Sequence, residues 1–86
     1  MEILFTGRFE QAYETLAKPE KQSVRKAIAL FSGNPRYPGL HVKKMEGRRD
    51  TWDARPSKRL RMTFEMGKET ILLRNVGEHD KVLKSP

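Results

Sequence analysis

The chain has 86 residues, a net charge of +7 and no cysteine. That length suits one domain spanning 1–86 with a small core, and the lack of cysteine excludes disulfides, cysteine-ligated zinc and thiol nucleophiles and fits a reducing cytoplasm. The basic excess calls for an acidic partner, and Met1–Phe5, with an acid and a three-residue apolar run, reads as neither a secretory signal nor a membrane span.

Ile3-Leu4-Phe5 reads as a short buried strand ended by Thr6-Gly7, with Thr6 as helix cap. Phe9, Ala12, Tyr13 and Leu16 then fall at helical spacing. Pro19 stops that helix and suits the first turn of the next. Val24, Ala27, Ile28 and Phe31 repeat the spacing until Gly33-Asn34-Pro35. The two helices predict a hairpin with an apolar seam. Beyond the Pro35–Gly39 loop the period changes to two. Strands are predicted over Leu40–Met45, Thr51–Arg55, Arg59–Met66 and Glu69–Val76, with turns at Glu46-Gly47, Pro56-Ser57-Lys58 and Gly67-Lys68. Ile71-Leu72-Leu73 suggests cover on both faces. One helical turn can follow from His79. The order predicts an α+β fold: an N-terminal strand, a helical hairpin, then a mostly antiparallel sheet with the helices on one face.

The span from Leu40 to Arg61 holds eight Lys or Arg and three acids, a net +5 of the chain's +7. A basic face on a small sheet is a footprint for RNA or DNA. Glycine loops that cradle phosphate are absent, and the acids are mostly interleaved with bases, which speaks against a two-metal nuclease. Arginine, lysine and histidine remain, a set suited to metal-free RNA cleavage. There the substrate's 2′-hydroxyl attacks its own phosphate, and the protein supplies a base, an acid and positive charge. His79 is a candidate proton carrier, since histidine titrates near neutral pH; an exposed polar residue or a cap is the plainer reading. Alternation puts Asp53 and Arg55 on one face, and Arg59 and Arg61 on another strand's equivalent face. Asp53 is then either a base or the ion-pair partner of Arg55. Trp52 reads as a core or sheet-packing residue ahead of a base-stacking platform, and Tyr37 fits loop packing as well as base stacking.

Several stretches together resemble the RelE/ParE toxins of toxin–antitoxin systems. They are Asn34 to Leu40, Val42-Lys43-Lys44-Met45-Glu46-Gly47, Trp52-Asp53-Ala54-Arg55, Arg59 to Phe64, and Leu73 to Asp80. The resemblance implies a ribosome-dependent endoribonuclease that cuts mRNA in the ribosomal A site without a metal or cofactor. Its implied partners are the 70S ribosome with its mRNA and a cognate antitoxin. It places Arg61 and Arg74 at phosphate-handling positions, Arg55 at a basic position of the third strand, and His79 at a catalytic histidine. Lys43 and Lys44, with Arg48, Arg49, Lys58 and Arg59, would hold ribosomal RNA. Asp53 stands where the RelE branch has a lysine, and the residues after the last strand lack the tyrosine many relatives carry. A gyrase inhibitor of the ParE kind and a non-catalytic RNA-binding module are the competing expectations on the same fold.

Overall fold

A computed structural model describes residues 2–34, 37–47 and 50–86. In chain order the elements are β1 (Glu2–Phe5), α1 (Gly7–Glu14), α2 (Lys18–Gly33), a 3₁₀ turn (Pro38–Leu40), β2 (Lys43–Lys44), β3 (Trp52–Ala54), β4 (Leu60–Met66), β5 (Thr70–Glu78) and α3 (His79–Lys84). The five strands form one sheet in the order β1-β5-β4-β3-β2. β1 runs parallel to β5; the other pairs are antiparallel. The α+β expectation holds.

The local chemistry explains the helix boundaries. Thr6 Oγ1 accepts from the Phe9 N–H at 3.0 Å, occupying one of the donors a helix start leaves open. Pro19 falls in the first turn of α2, and Glu20 reaches back to the Ala17 N–H at 3.0 Å. Lys21 ties the two helices together through Glu14 at 3.4 Å and sits 5.6 Å from the Tyr13 ring centroid. The hairpin presents Phe9, Val24, Ala27 and Phe31 to one side of the sheet. There they meet Leu60, Met62, Phe64, Ile71, Leu73 and Val76. Phe31 and Phe64 pack edge to face at 4.8 Å, and truncating either ring to alanine should cost about 3–5 kcal/mol.

Three expectations need correction. β1 is not buried: Leu4 and Phe5 are 41% and 46% exposed, because the strand lies at the sheet's outer edge with a neighbour on one side. Leu40–Met45 is not one strand. Pro38 and Gly39 start a 3₁₀ turn and His41 closes it in the left-handed region at φ 49°, so extended pairing is confined to Lys43 and Lys44. Nor is the second sheet face open along its whole width. α3 is a full short helix, and Val82, 1% exposed, packs toward Gly77, where a Cβ would lie 3.4 Å from Val82 Cγ2. Among the described residues no helix is long and apolar enough to cross a membrane.

Candidate active site

The ladder registers decide which polar residues share the face turned away from α1 and α2. Asp53 pairs with Lys43 on one side and Thr63 on the other, and Thr63 pairs with Asn75. Paired residues project to the same side of a sheet, so Lys43, Asp53, Thr63 and Asn75 form one row across the face. Arg61 opposes Gly77 in the neighbouring row. Between Thr63 and Phe64 the β4–β5 register shifts, leaving Arg74 as the extra residue. Such a bulge turns a side chain away from simple alternation.

The cation cluster sits at the β3–β4 half. Arg61 is only 8% exposed, and its Nη1 donates to the Leu60 carbonyl at 3.0 Å. Burial, then repulsion from Arg55, hold its guanidinium below the ordinary arginine value, while Asp53 pulls the other way. Both neighbouring charges therefore act on Arg61. Asp53 is 3% exposed, and among the described residues its Oδ1 is buried with no hydrogen-bond partner. Buried acceptors are nearly always satisfied, which sets this oxygen apart from the bonded Thr63 and Asn75 side chains of the same row. Asp53 and Arg55 both act electrostatically on Arg61, while Arg55, one residue past the end of β3, also lines a cavity with Ser23, Lys26 and Leu30 of α2.

The β4–β5 half is arranged differently. Arg74 Nη1 is ion-paired with Glu65, and its Nε donates to the Pro86 carbonyl at 3.3 Å. The Thr63 hydroxyl donates to the same carbonyl at 2.9 Å, and Asn75 Nδ2 donates to the Ser85 carbonyl at 2.9 Å. Arg8 from α1 also reaches the Ser85 carbonyl. The segment after α3 thus straps down this half of the face. Sequence reasoning missed Glu65, Thr63, Asn75 and the strap. The apolar Val82, three residues after His79, was the available signal for a packed helix.

The remaining candidates spread outward. His79 opens α3 two residues beyond Gly77; its Nδ1 is 3.1 Å from Asp80, and it shares a surface cleft with Arg59 and Glu78. Arg59 lies 3.8 Å from Glu78. Lys58 is exposed in the β3–β4 connection. Lys44, opposite Trp52, points to the other side of the sheet from Lys43. Arg48 and Arg49 lie outside the described residues. Among the described residues no three His, Asp or Glu side chains gather as a metal-binding set. A cavity of about 490 Å³ between α1 and α3, lined by Arg8, Glu20 and Lys81 among others, lies on the β5 side and does not include the Asp53–Arg61 cluster.

The architecture is similar to that of solved toxins of toxin–antitoxin systems. RelE from the RelB–RelE antitoxin–toxin complex of Methanococcus jannaschii superposes with a TM-score of 0.78 at 16% identity, over 96% of this chain and 98% of that one. YafQ from the Escherichia coli DinJ–YafQ toxin–antitoxin complex gives 0.80 at 12% identity, over 94% of each chain. A YoeB/ParE toxin from Agrobacterium tumefaciens gives 0.77 at 14% identity, over 92% of this chain and 99% of that one. No family model matches the sequence, and no curated protein matches it. At these identities the likeness is one of fold.

Proposed function

We propose that this chain is the toxin of a type II toxin–antitoxin pair, a cytoplasmic, ribosome-dependent endoribonuclease that cuts mRNA in the ribosomal A site without a metal cofactor. The observation that carries this reading is the unpartnered Asp53 Oδ1 beside the Arg61 and Arg55 charges. That arrangement groups a carboxylate, whose Oδ1 is buried and meets a substrate hydroxyl only when the face opens locally, with two cations for a phosphate. The fold, shared with toxins solved in complex with antitoxins, supports an antitoxin partner.

In the proposed step Asp53 takes the 2′-hydroxyl proton as the oxygen attacks the adjacent phosphorus. Arg61, with Arg55 beside it, balances the charge that builds on the phosphorane oxygens. The bond from phosphorus to the 5′-oxygen breaks, and that oxygen takes a proton from His79. The products are a 2′,3′-cyclic phosphate and a free 5′-hydroxyl. Arg74 adds positive charge from the neighbouring half and reaches substrate only when Glu65 and the strap release it. Lys43, Lys58 and Arg59, with Lys44, Arg48 and Arg49, supply the wider basic surface for ribosomal RNA.

The test is a translation reaction with purified ribosomes and a defined mRNA, read by primer extension. Cuts within the A-site codon are expected, and none on naked RNA. Inhibition of gyrase supercoiling with no cuts at any protein concentration would replace this reading with the ParE one.

A further inference from the structure

Tyr37 is a large side chain that neither the core nor the proposed chemistry uses. It is 41% exposed, yet its surroundings fix it. The Tyr37 N–H donates to the Asn34 carbonyl at 3.0 Å, and its own carbonyl accepts from the Leu40 N–H at 3.0 Å. Leu40, 4% exposed, anchors the turn in the core. The ring lies against Gly39, where a Cβ would come within 3.1 Å of Cε1. Glycine thus lets the ring rest on the backbone, and the aromatic surface is held in place before any ligand arrives.

Beside the ring is a cavity of about 250 Å³, lined by Tyr37, Ser23, Lys26, Leu30, Arg55 and Pro56 among others. Arg55 belongs to two places at once. It lines this cavity, and its charge acts on Arg61 across the β3–β4 strands. An exposed aromatic ring flanked by cations is the equipment that holds an unpaired base against its backbone charge.

We propose that the Tyr37 cavity is a nucleobase subsite: an RNA base stacks on Tyr37 beside Lys26, while the phosphate of that nucleotide or its neighbour meets Arg55 and Arg61. This rests on the endoribonuclease reading and adds a determinant of which nucleotide is bound. Stacking needs only an aromatic face, so Tyr37→Phe keeps the subsite. Tyr37→Ala removes it and should weaken base binding by about 5- to 150-fold.

The probes are guanosine 5′-monophosphate and ribose 5-phosphate, titrated into the full chain and followed by NMR. The nucleotide should transfer saturation between its H8 and the Tyr37 ring and shift Leu30 and Lys26 resonances. Ribose 5-phosphate should shift the Arg55–Arg61 region alone. Tyr37→Ala, checked for an unchanged Tm, should lose the nucleotide-specific shifts, and Tyr37→Phe should retain them. In ribosome reactions an altered ranking of cut codons in Tyr37→Ala assigns the base to mRNA; an equal fall at every codon assigns it to ribosomal RNA. Identical shifts from the two probes, or wild-type nucleotide binding by Tyr37→Ala, overturn the subsite. A protein that holds the nucleotide at Tyr37 but cuts nothing refutes the endoribonuclease reading alone. One that cuts but holds no base at Tyr37 refutes this inference alone.

Discussion

The two halves of the face turned away from α1 and α2 carry the same kinds of residue to opposite ends. On the β4–β5 half, Arg74 is neutralised by Glu65 and donates to the strap, and Thr63 and Asn75 are bonded to it as well. On the β3–β4 half, Arg61 meets another arginine and a carboxylate with an unmet oxygen. A buried charge with its partners in place is a structural element, whereas one held beside a like charge is stored unfavourable energy. The difference between the halves separates the cations that hold the molecule together from those that wait for a ligand.

Variants can break this division, starting where the effect is largest. Asp53→Asn keeps the shape but removes the proton acceptor, and should slow cutting by about 10²–10⁴-fold at unchanged folding. Single-turnover cleavage on programmed ribosomes measures it. A loss under tenfold would make Asp53 a spectator. Arg61→Ala should cost about 10²–10³-fold in the same assay.

Arg61 also offers a reading on stability. Its folded value is lowered, so its charged form is penalised on folding at every pH below that value. The penalty lifts only as pH rises through the folded value, well into the alkaline range. Replacing the cation by glutamine removes this penalty together with the smaller attraction to Asp53, and should raise Tm by about 4–8 °C for each kcal/mol of net relief while slowing cutting as Arg61→Ala does. Between about pH 5 and 9 the gain should stay constant, because arginine does not titrate there. A Tm that falls on Arg61→Gln would mean the half is better satisfied than the geometry shows.

Arg74→Ala tests the other half. It removes a charge-assisted bond to the strap and the Glu65 pair, and should cost about 1–3 kcal/mol of stability. Cutting per folded molecule should fall less than for Arg61→Ala. If Arg74→Ala abolishes cutting with Tm untouched, the division is drawn in the wrong place. Lys21→Ala, on the helix surface, should change stability by no more than about 0.5 kcal/mol, and calorimetry on this variant sets the scale for the rest.

Periodicity made most of this fold legible. The alternation of Leu60, Met62, Phe64 and Met66 placed β4, and the Phe9 and Val24 spacings placed the helices, because burial of one face dictates both patterns. Alternation also put Asp53 and Arg61 on the side of the sheet away from the helices, whereas Arg55 follows the end of β3 and lines a cavity with α2 residues that no strand pattern signals. What stayed hidden was set by contacts between distant residues. The strap on Thr63 and Asn75 follows from carbonyls of Ser85 and Pro86, which have no side-chain signature. The bulge that frees Arg74 from simple alternation is a register event between two strands. The exposure of Leu4 and Phe5 follows from strand order, which no local pattern encodes.

The parallel pairing of β1 with β5 joins the two extremes of the chain, Ile3 to Ile71 and Phe5 to Leu73. Contacts of such long sequence separation form late, since the loop between them must be closed first. The core faces of α1 and α2 have no β4 or β5 to rest on until the last third of the chain has been made. During synthesis the helices therefore emerge before the strands that cover them, whereas Arg55 and Arg61, at the two sides of the short β3–β4 connection, are brought near each other by a local antiparallel pair.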